Sequence, residues 1–246
     1  LKRRRFFAPS KHWQDKLIIL DSEQTHHLKD VLRVKIGESI ICFDETGREC
    51  CAEINSYLPS GAELKITDFL PSSEISDKKI TIAQSIIKPA KMDFIVQKTV
   101  ELGIDEIIPF RSSYCSINLD EQRITKKSDR WNKISIEASK QCGRKSFVPV
   151  KDILDFDELI EKCCNYDKIV LADQYSGKMN ISGHIENAKS IIIVIGPEGG
   201  FTEEETKIFS GIPGCVRFNF NENILRAETA AVAAVAIIKY ELLRIS

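Results

Sequence analysis

A chain of 246 residues, 43% hydrophobic and 29% charged, holds enough apolar material for one large or two modest folded domains and too much for general disorder. Its net charge of −1 gives no global argument for or against nucleic acid, and no apolar run reaches the roughly 18 to 20 residues that span a bilayer. The basic start Leu1-Lys-Arg-Arg-Arg5 is not followed by the apolar stretch of a secretory signal, so a cytoplasmic location is expected.

The first third reads mainly as strands. Leu17 to Leu20 is a short apolar strand, after which Asp21 caps a helix expected to run through Leu32, with Gln24 at the capping-box position. Ser39 to Phe43, Glu49 to Tyr57 and Ala62 to Phe69 follow as strands, separated by turn signals at Glu45-Thr-Gly47 and Pro59-Ser-Gly61. Short strands at this spacing predict a small barrel. Pro71 to Lys78 is polar, opens with proline and lacks periodicity, so it reads as a linker between domains at 1–72 and 73–246.

Strands and helices then alternate. Ile80 to Ile87 is a strand, and Ala90 to Leu102 a helix with Gly103 at its C-cap. Ile104 to Pro109 is a buried strand, and a basic helix covers about Lys126 to Gln141. Leu154 to Cys163 is helical, Lys168 to Ala172, Ser190 to Ile195 and Cys215 to Phe220 are strands, and Ala227 to Leu243 is an Ala-rich helix. This alternation predicts an α/β domain with a parallel sheet, preceded by a small β domain.

Eight cysteines do not make a disulfide framework in a chain of this length. Cys50-Cys51 and Cys163-Cys164 are adjacent pairs, no C-x-x-C occurs, and His12, His26, His27 and His184 fall outside ligand spacing. Free, mostly buried thiols and no metal are expected. Charge is uneven: between Gln122 and Phe147 there are eight bases and only two acids, Asp129 and Glu137. Such a patch suits phosphates or is simply a solvated helix face.

The chemistry concentrates in two segments. Ser190 to Ile195 is a nearly pure apolar strand, Gly196-Pro-Glu-Gly-Gly200 follows at once, and Thr202 with Glu205 forms a T-x-x-E capping box for the next helix. Strand, glycine loop and helix start together make a ligand loop at the carboxyl end of a strand. No G-K-[ST] follows and the spacing is not G-x-G-x-x-G, so nucleotide phosphates are not the expected ligand. The second segment is Asn221 to Ala230. Glu228 there complements a helix dipole, whereas Arg226 gains nothing from one and is expected to pair with Glu228, Glu198 or a substrate oxygen.

With Arg4-Arg-Phe-Phe7, His27 to Arg33, Gln97 to Gly103 and Glu137 to Arg144, these segments resemble in order the motifs of the SPOUT methyltransferases. The resemblance is to the RsmE family, which methylates N3 of a uridine in small-subunit (16S) ribosomal RNA. It covers nearly the whole chain. Phe220-Asn221 replaces the family's usual Leu-Gly, Ala227 an often present Thr, and Cys142 a common Ser.

The resemblance implies an N-terminal PUA-like β-barrel for RNA, a SPOUT domain with a C-terminal trefoil knot, a homodimer, and S-adenosyl-L-methionine bound in the knot. It implies that Ile195, Gly196, Pro197, Glu198, Gly199, Ile224, Leu225 and Arg226 line the cofactor site, with Leu171 and Thr229 as further candidates. Arg226 is the expected electrostatic donor to the developing uridine anion, with Glu198 or Glu228 orienting it or relaying the proton. Arg3, Arg4, Arg5, Arg33, Lys91, Arg123, Lys126, Lys127, Arg130 and Arg144 would hold the backbone of ribosomal RNA or the small subunit. Two other readings remain open: a SPOUT enzyme acting elsewhere, such as a ribose 2′-oxygen of transfer RNA, and a non-catalytic RNA-binding protein on the same scaffold.

Overall fold

The computed structural model describes residues 4–71, 77–115, 121–177, 181–219 and 223–245, with side chains for all of these except 121–126 and 245. The chain divides into two compact units, residues 1–75 with 136–147 and residues 76–135 with 148–246.

The first unit is one six-stranded sheet. Its strands are β1 (Arg5–Phe7), β2 (Trp13–Gln14), β3 (Leu17–Leu20), β4 (Ser39–Phe43), β5 (Glu49–Leu58) and β6 (Gly61–Phe69), in the order β1-β4-β5-β6-β3-β2. The small barrel expected from strand spacing takes the form of a sheet folded around one core, with β1 and β2 at its edges. Alternation along the strands turns Ile18, Leu20, Ile40, Cys42, Ile54 and Leu64 inward, all fully buried.

The helix expected from Asp21 to Leu32 is corrected. Asp21 does cap α1 (Ser22–His26), accepting a hydrogen bond from the Gln24 N–H at 2.8 Å. The following turn, His27–Val31, is a π-helix in which the Leu32 N–H donates to the His27 carbonyl at 3.0 Å. That wider turn accompanies complete burial of Leu28 in the sheet's core, and Arg33 then leaves the helix with φ +52°, in the left-handed region.

The second unit is built on β7 (Lys79–Ser85), β8 (Glu106–Phe110), β9 (Lys168–Ala172), β10 (Ser190–Ile195) and β11 (Cys215–Phe218). They form a wholly parallel sheet in the order β11-β9-β10-β7-β8. β10 is central, and its Ile191 to Ile195 are buried, as a strand covered on both faces requires. Connecting helices are α2 (Pro89–Glu101), α3 (Glu121–Cys142), α4 (Phe156–Cys163), α5 (Ser182–Ile185), α6 (Glu203–Ser210) and α7 (Ala227–Ile245).

Local chemistry sets several of these ends. Pro89 opens α2, where its missing N–H costs nothing. Gly103 closes that helix at φ +94°, a conformation other residues adopt only with strain. Buried Ala231, Ala234, Val235, Ile238 and Leu242 make the inner stripe of α7, which packs on α2 and β10.

Helix α3 is shared between the units. Its first part stays with the parallel sheet, where the Ser135 hydroxyl donates to the Val148 carbonyl. Its last turns belong to the first unit, where the Lys140 ammonium lies 5.1 Å from the Phe6 ring centre and the Phe147 ring meets Phe7. All eight cysteines are free thiols; Cys42, Cys50, Cys51 and Cys163 are buried, and Cys142 and Cys164 are exposed.

Candidate active site

The carboxyl ends of β9, β10 and β11 open on a cavity of about 410 Å³, within the size range of small-molecule sites. Three segments wall it. The first is the loop Gly196–Gly200 after β10, folded by a turn in which the Gly200 N–H donates to the Pro197 carbonyl at 3.0 Å. A Cβ on Gly196 would lie 3.1 Å from the Phe201 ring, and one on Gly199 would lie 3.3 Å from the Tyr114 side chain. Glycine at both positions therefore keeps the loop close to its supports while leaving its backbone open to a ligand.

The loop is fixed at both ends. The Thr202 hydroxyl accepts from the Glu205 N–H at 3.1 Å and the Glu205 carboxylate accepts from the Thr202 N–H at 2.8 Å, so the expected capping box is formed. At the other end the Gln84 side-chain amide donates to the Gly196 carbonyl at 3.4 Å. The Gln84 side-chain oxygen is buried with no hydrogen-bond partner among the described residues.

The second wall is Asn223–Leu225 with Ala227 and Ala230 of α7. The Ala230 N–H donates to the Arg226 carbonyl at 2.8 Å, closing the first turn of that helix. Ile224 is 77% exposed, an apolar side chain held in solvent beside the cavity. The third wall is Ala172–Tyr175, where Asp173 accepts from the Tyr175 N–H at 2.9 Å and pairs with Arg217.

Seven of the candidate cofactor residues line the cavity: Ile195, Gly196, Pro197, Glu198, Gly199, Ile224 and Leu225. Leu171 does not; it is buried in the core of β9, and the next residue, Ala172, reaches the cavity instead. Arg226 and Thr229 are exposed and outside the lining. Asn221, expected to stand in for a glycine, lies outside the described residues, as does Phe220.

The contribution of Asp173 to Tyr175 was not foreseen from the sequence. Its one signal was position, directly after a strand parallel to β10, because neighbouring strand ends share one rim.

Of the partners expected for Arg226, namely Glu228, Glu198 or a substrate oxygen, neither carboxylate is paired with it among the described residues. Both carboxylates meet Lys91 in the first turn of α2: its ammonium is 3.0 Å from Glu198 and 3.2 Å from Glu228. Lys91 was expected to hold RNA phosphates, but its charge is already engaged by two acids. The Glu198 hydrogen bond, opposed by partial burial and supported by Glu228, raises the Lys91 ammonium pKa above its usual value. Burial works to raise the Glu198 carboxyl, but the Lys91 hydrogen bond, its own backbone and the charges of Lys91 and Lys88 outweigh it and hold the pKa below the usual range.

The remaining basic candidates differ in their surroundings. Arg5 is corrected: its side chain is only 11% exposed, paired with buried Glu49, donating to the Arg144 carbonyl and lying against the Phe43 ring. It braces the first unit, so its guanidinium is not open to phosphate. Arg130 is likewise forked onto Asp93 of α2, with contacts of 2.6 and 3.1 Å. Arg4 and Arg33 are exposed, and Lys127 and Arg144 half-buried. Arg3 and the side chains of Arg123 and Lys126 lie outside the described residues.

Among the described residues no cluster of His, Cys, Asp and Glu could hold a metal ion, and no helix is long and apolar enough to cross a membrane.

Comparison with known proteins gives a consistent set of relatives. The RNA methyltransferase domain family matches residues 74–239, and the RNA methyltransferase PUA domain family matches residues 20–59. The chain is 32% identical over 234 residues to ribosomal RNA small subunit methyltransferase E of Bacillus subtilis, covering 92% of this chain and 91% of that one. The same-named protein of Aquifex aeolicus is 33% identical over 237 residues, 93% and 96% of the two chains. Among solved structures, ribosomal RNA small subunit methyltransferase E from Neisseria gonorrhoeae, bound to S-adenosyl methionine, is 32% identical with a TM-score of 0.85 over 97% of both chains.

Proposed function

This chain belongs to the ribosomal RNA small subunit methyltransferase E family of RNA methyltransferases, and on that premise we propose that it transfers a methyl group from S-adenosyl-L-methionine to N3 of a uridine in small-subunit ribosomal RNA. The observation that carries this reading is the cavity at the ends of β9, β10 and β11, two of whose three walls, Ile195–Gly200 and Asn223–Leu225, come from the segments that hold the family's motifs. Its size and its exposed glycine backbone fit a flat, polar-edged cofactor. The buried Gln84 oxygen, without a hydrogen-bond partner among the described residues, is an acceptor that a bound water would satisfy, behind the Gly196 carbonyl to which the Gln84 amide donates.

The cofactor supplies an activated methyl carbon on a sulfonium. The protein's part is to bind it, to align the base and to manage one proton. Uridine N3 is a poor nucleophile until its proton leaves to solvent water, and the resulting charge spreads over O2, N3 and O4. N3 then takes the methyl carbon, and the sulfonium's C–S bonding pair returns to sulfur as a neutral thioether. Arg226 is the residue proposed to stabilise that anion. It stands exposed next to the cavity-lining Leu225, and no carboxylate is paired with it among the described residues. With Glu198 and Glu228 both drawn to Lys91, Arg226 carries the electrostatic role alone in this mechanism.

The first unit, matched by the PUA family over residues 20–59, is proposed to hold the RNA with exposed Arg4 and Arg33. The trefoil knot implied by the family motifs belongs to this reading, as does a homodimer. Exposed Phe94, Tyr240 and Leu243 on α2 and α7 are apolar side chains that such a dimer would bury. The cytoplasm, where ribosomal RNA is modified, is the proposed compartment.

The test has two arms. Calorimetric titration with S-adenosylmethionine should show one site per chain; no binding removes the enzyme reading and leaves an RNA-binding protein on this scaffold. Mapping of methylated nucleotides in RNA from cells lacking the protein should show loss of one 3-methyluridine in the small-subunit RNA. Loss of a ribose 2′-O-methyl group from transfer RNA would replace the substrate assignment.

A further inference from the structure

Lys91 occupies a position that helix energetics do not explain. It lies in the first turn of α2, where the helix dipole disfavours a cation. Two acids compensate it, and they come from the two motif segments: Glu198 from the glycine loop that walls the cavity, and Glu228 from the first turn of α7, between the cavity-lining Ala227 and Ala230. Glu198 is 107 residues from Lys91 in the chain, so the contact is tertiary in origin.

The two carboxylates share one ammonium, and Glu228 is largely shielded from solvent, with 17% of its side chain exposed. Without the ammonium they would repel one another across the site, screened by water on the Glu198 side, where 38% of the side chain is exposed, and less so at Glu228. A lysine suits this task. Its compact charge on a flexible stem hydrogen-bonds Glu198 and at the same time forms an ion pair with Glu228, whose Oε2 is buried and accepts no hydrogen bond among the described residues.

We propose that Lys91 is a positioning residue that ties the glycine loop to the start of α7 through Glu198 and Glu228, holding the two walls of the cofactor cavity at their binding separation. The inference rests on the cofactor reading above and assigns Lys91 to cofactor affinity, where the sequence had suggested RNA affinity.

Calorimetric titration with S-adenosylmethionine tests it, on the full chain and on variants whose thermal unfolding is recorded in parallel. Lys91→Met should weaken cofactor binding by at least about tenfold, and Lys91→Arg should restore it to within about threefold of the parent. The double variant Lys91→Met with Glu228→Gln removes one of the two opposed carboxylates, so it should bind more tightly than Lys91→Met alone. That recovery is not expected of a residue that only stabilises α2.

Unchanged cofactor affinity in Lys91→Met, with a raised KM for RNA and a shallower salt dependence, would overturn the proposal in favour of a phosphate contact. If Lys91→Met does not fold, Glu198→Ala carries the same test. It cuts the tie to the loop alone and should weaken cofactor binding, and an unchanged affinity overturns the proposal. Failure of the parent protein to bind the cofactor defeats the functional reading itself, a result distinct from normal binding by parent and variants alike.

Discussion

The Glu205 carboxylate accepts a hydrogen bond from the backbone N–H of Ser113 at 2.8 Å while its other oxygen closes the capping box on Thr202. Only 4% of Glu205 is exposed, so one buried acid serves two chain segments: the start of α6, directly after the glycine loop, and the loop that follows β8. A capping box alone needs only the Thr202 contact. The second contact also fixes the backbone beside Tyr114, the side chain against which Gly199 packs.

Glu205→Ala should therefore cost more than loss of a helix cap. It leaves the Thr202 and Ser113 N–H groups without their acceptor, for a combined loss of roughly 2–4 kcal/mol. Urea unfolding should show a lower midpoint with an unchanged slope. A loss within about 0.5 kcal/mol, the ordinary range for a surface substitution, would show that Glu205 is not a shared anchor.

Arg226→Ala separates chemistry from binding. If Arg226 stabilises the uridine anion, the methyl-transfer rate should fall by about 10²–10³-fold, the effect of removing one preorganised donor. Affinity for S-adenosylmethionine should stay within about tenfold, or roughly 1.4 kcal/mol. Near-normal turnover by the variant removes Arg226 from the mechanism.

Acid stability should depend on Asp167. The backbone N–H groups of Ser190 and Lys189 and the Ser190 hydroxyl all donate to its carboxylate, at 2.8, 2.9 and 3.0 Å, and hold its pKa below the usual value. A pKa lower in the folded chain than in the unfolded one stabilises the protein above the unfolded value, about 3.9, and that contribution fades as pH falls through the folded value. Asp167→Asn should lower Tm at pH 6, and the gap from the parent should narrow as pH drops below about 4. A gap that stays constant down to acid unfolding would contradict this.

Thiol reactivity should follow burial. Burial pushes the Cys50 and Cys163 thiols up to about 12, whereas Cys142 and Cys164 are exposed. At neutral pH a maleimide reagent should label Cys142 and Cys164 first, leaving Cys50 and Cys163 unmodified until the chain unfolds. Peptide mass analysis reads the order directly.

Much of the framework was legible in local sequence. β9 and β10 fall on the residues expected of them, because apolar runs bounded by polar turns leave little choice of boundary. The Thr202–Glu205 capping box and the Gly103 helix end are likewise local: each depends on residues within about four positions of one another. The end of the helix at Asp21 was less readable. Nothing in His27 to Arg33 announces a π-turn, which accompanies the burial of Leu28 against strands that are distant in sequence.

Side-chain partners divide in the same way. By itself the sequence determined a parallel α/β unit with a glycine loop after its central strand, and its resemblance to the family implied that Ile195–Gly199 and Ile224–Arg226 share one site. Periodicity, capping and motif order are short-range properties carried by neighbouring residues. Only the tertiary structure decided that Glu198 and Glu228 face Lys91, that Arg226 is left open, that Arg5 is spent on Glu49, and that α3 serves both units. An ion pair depends on which distant segments the fold brings within about 4 Å, and residue type alone cannot specify that.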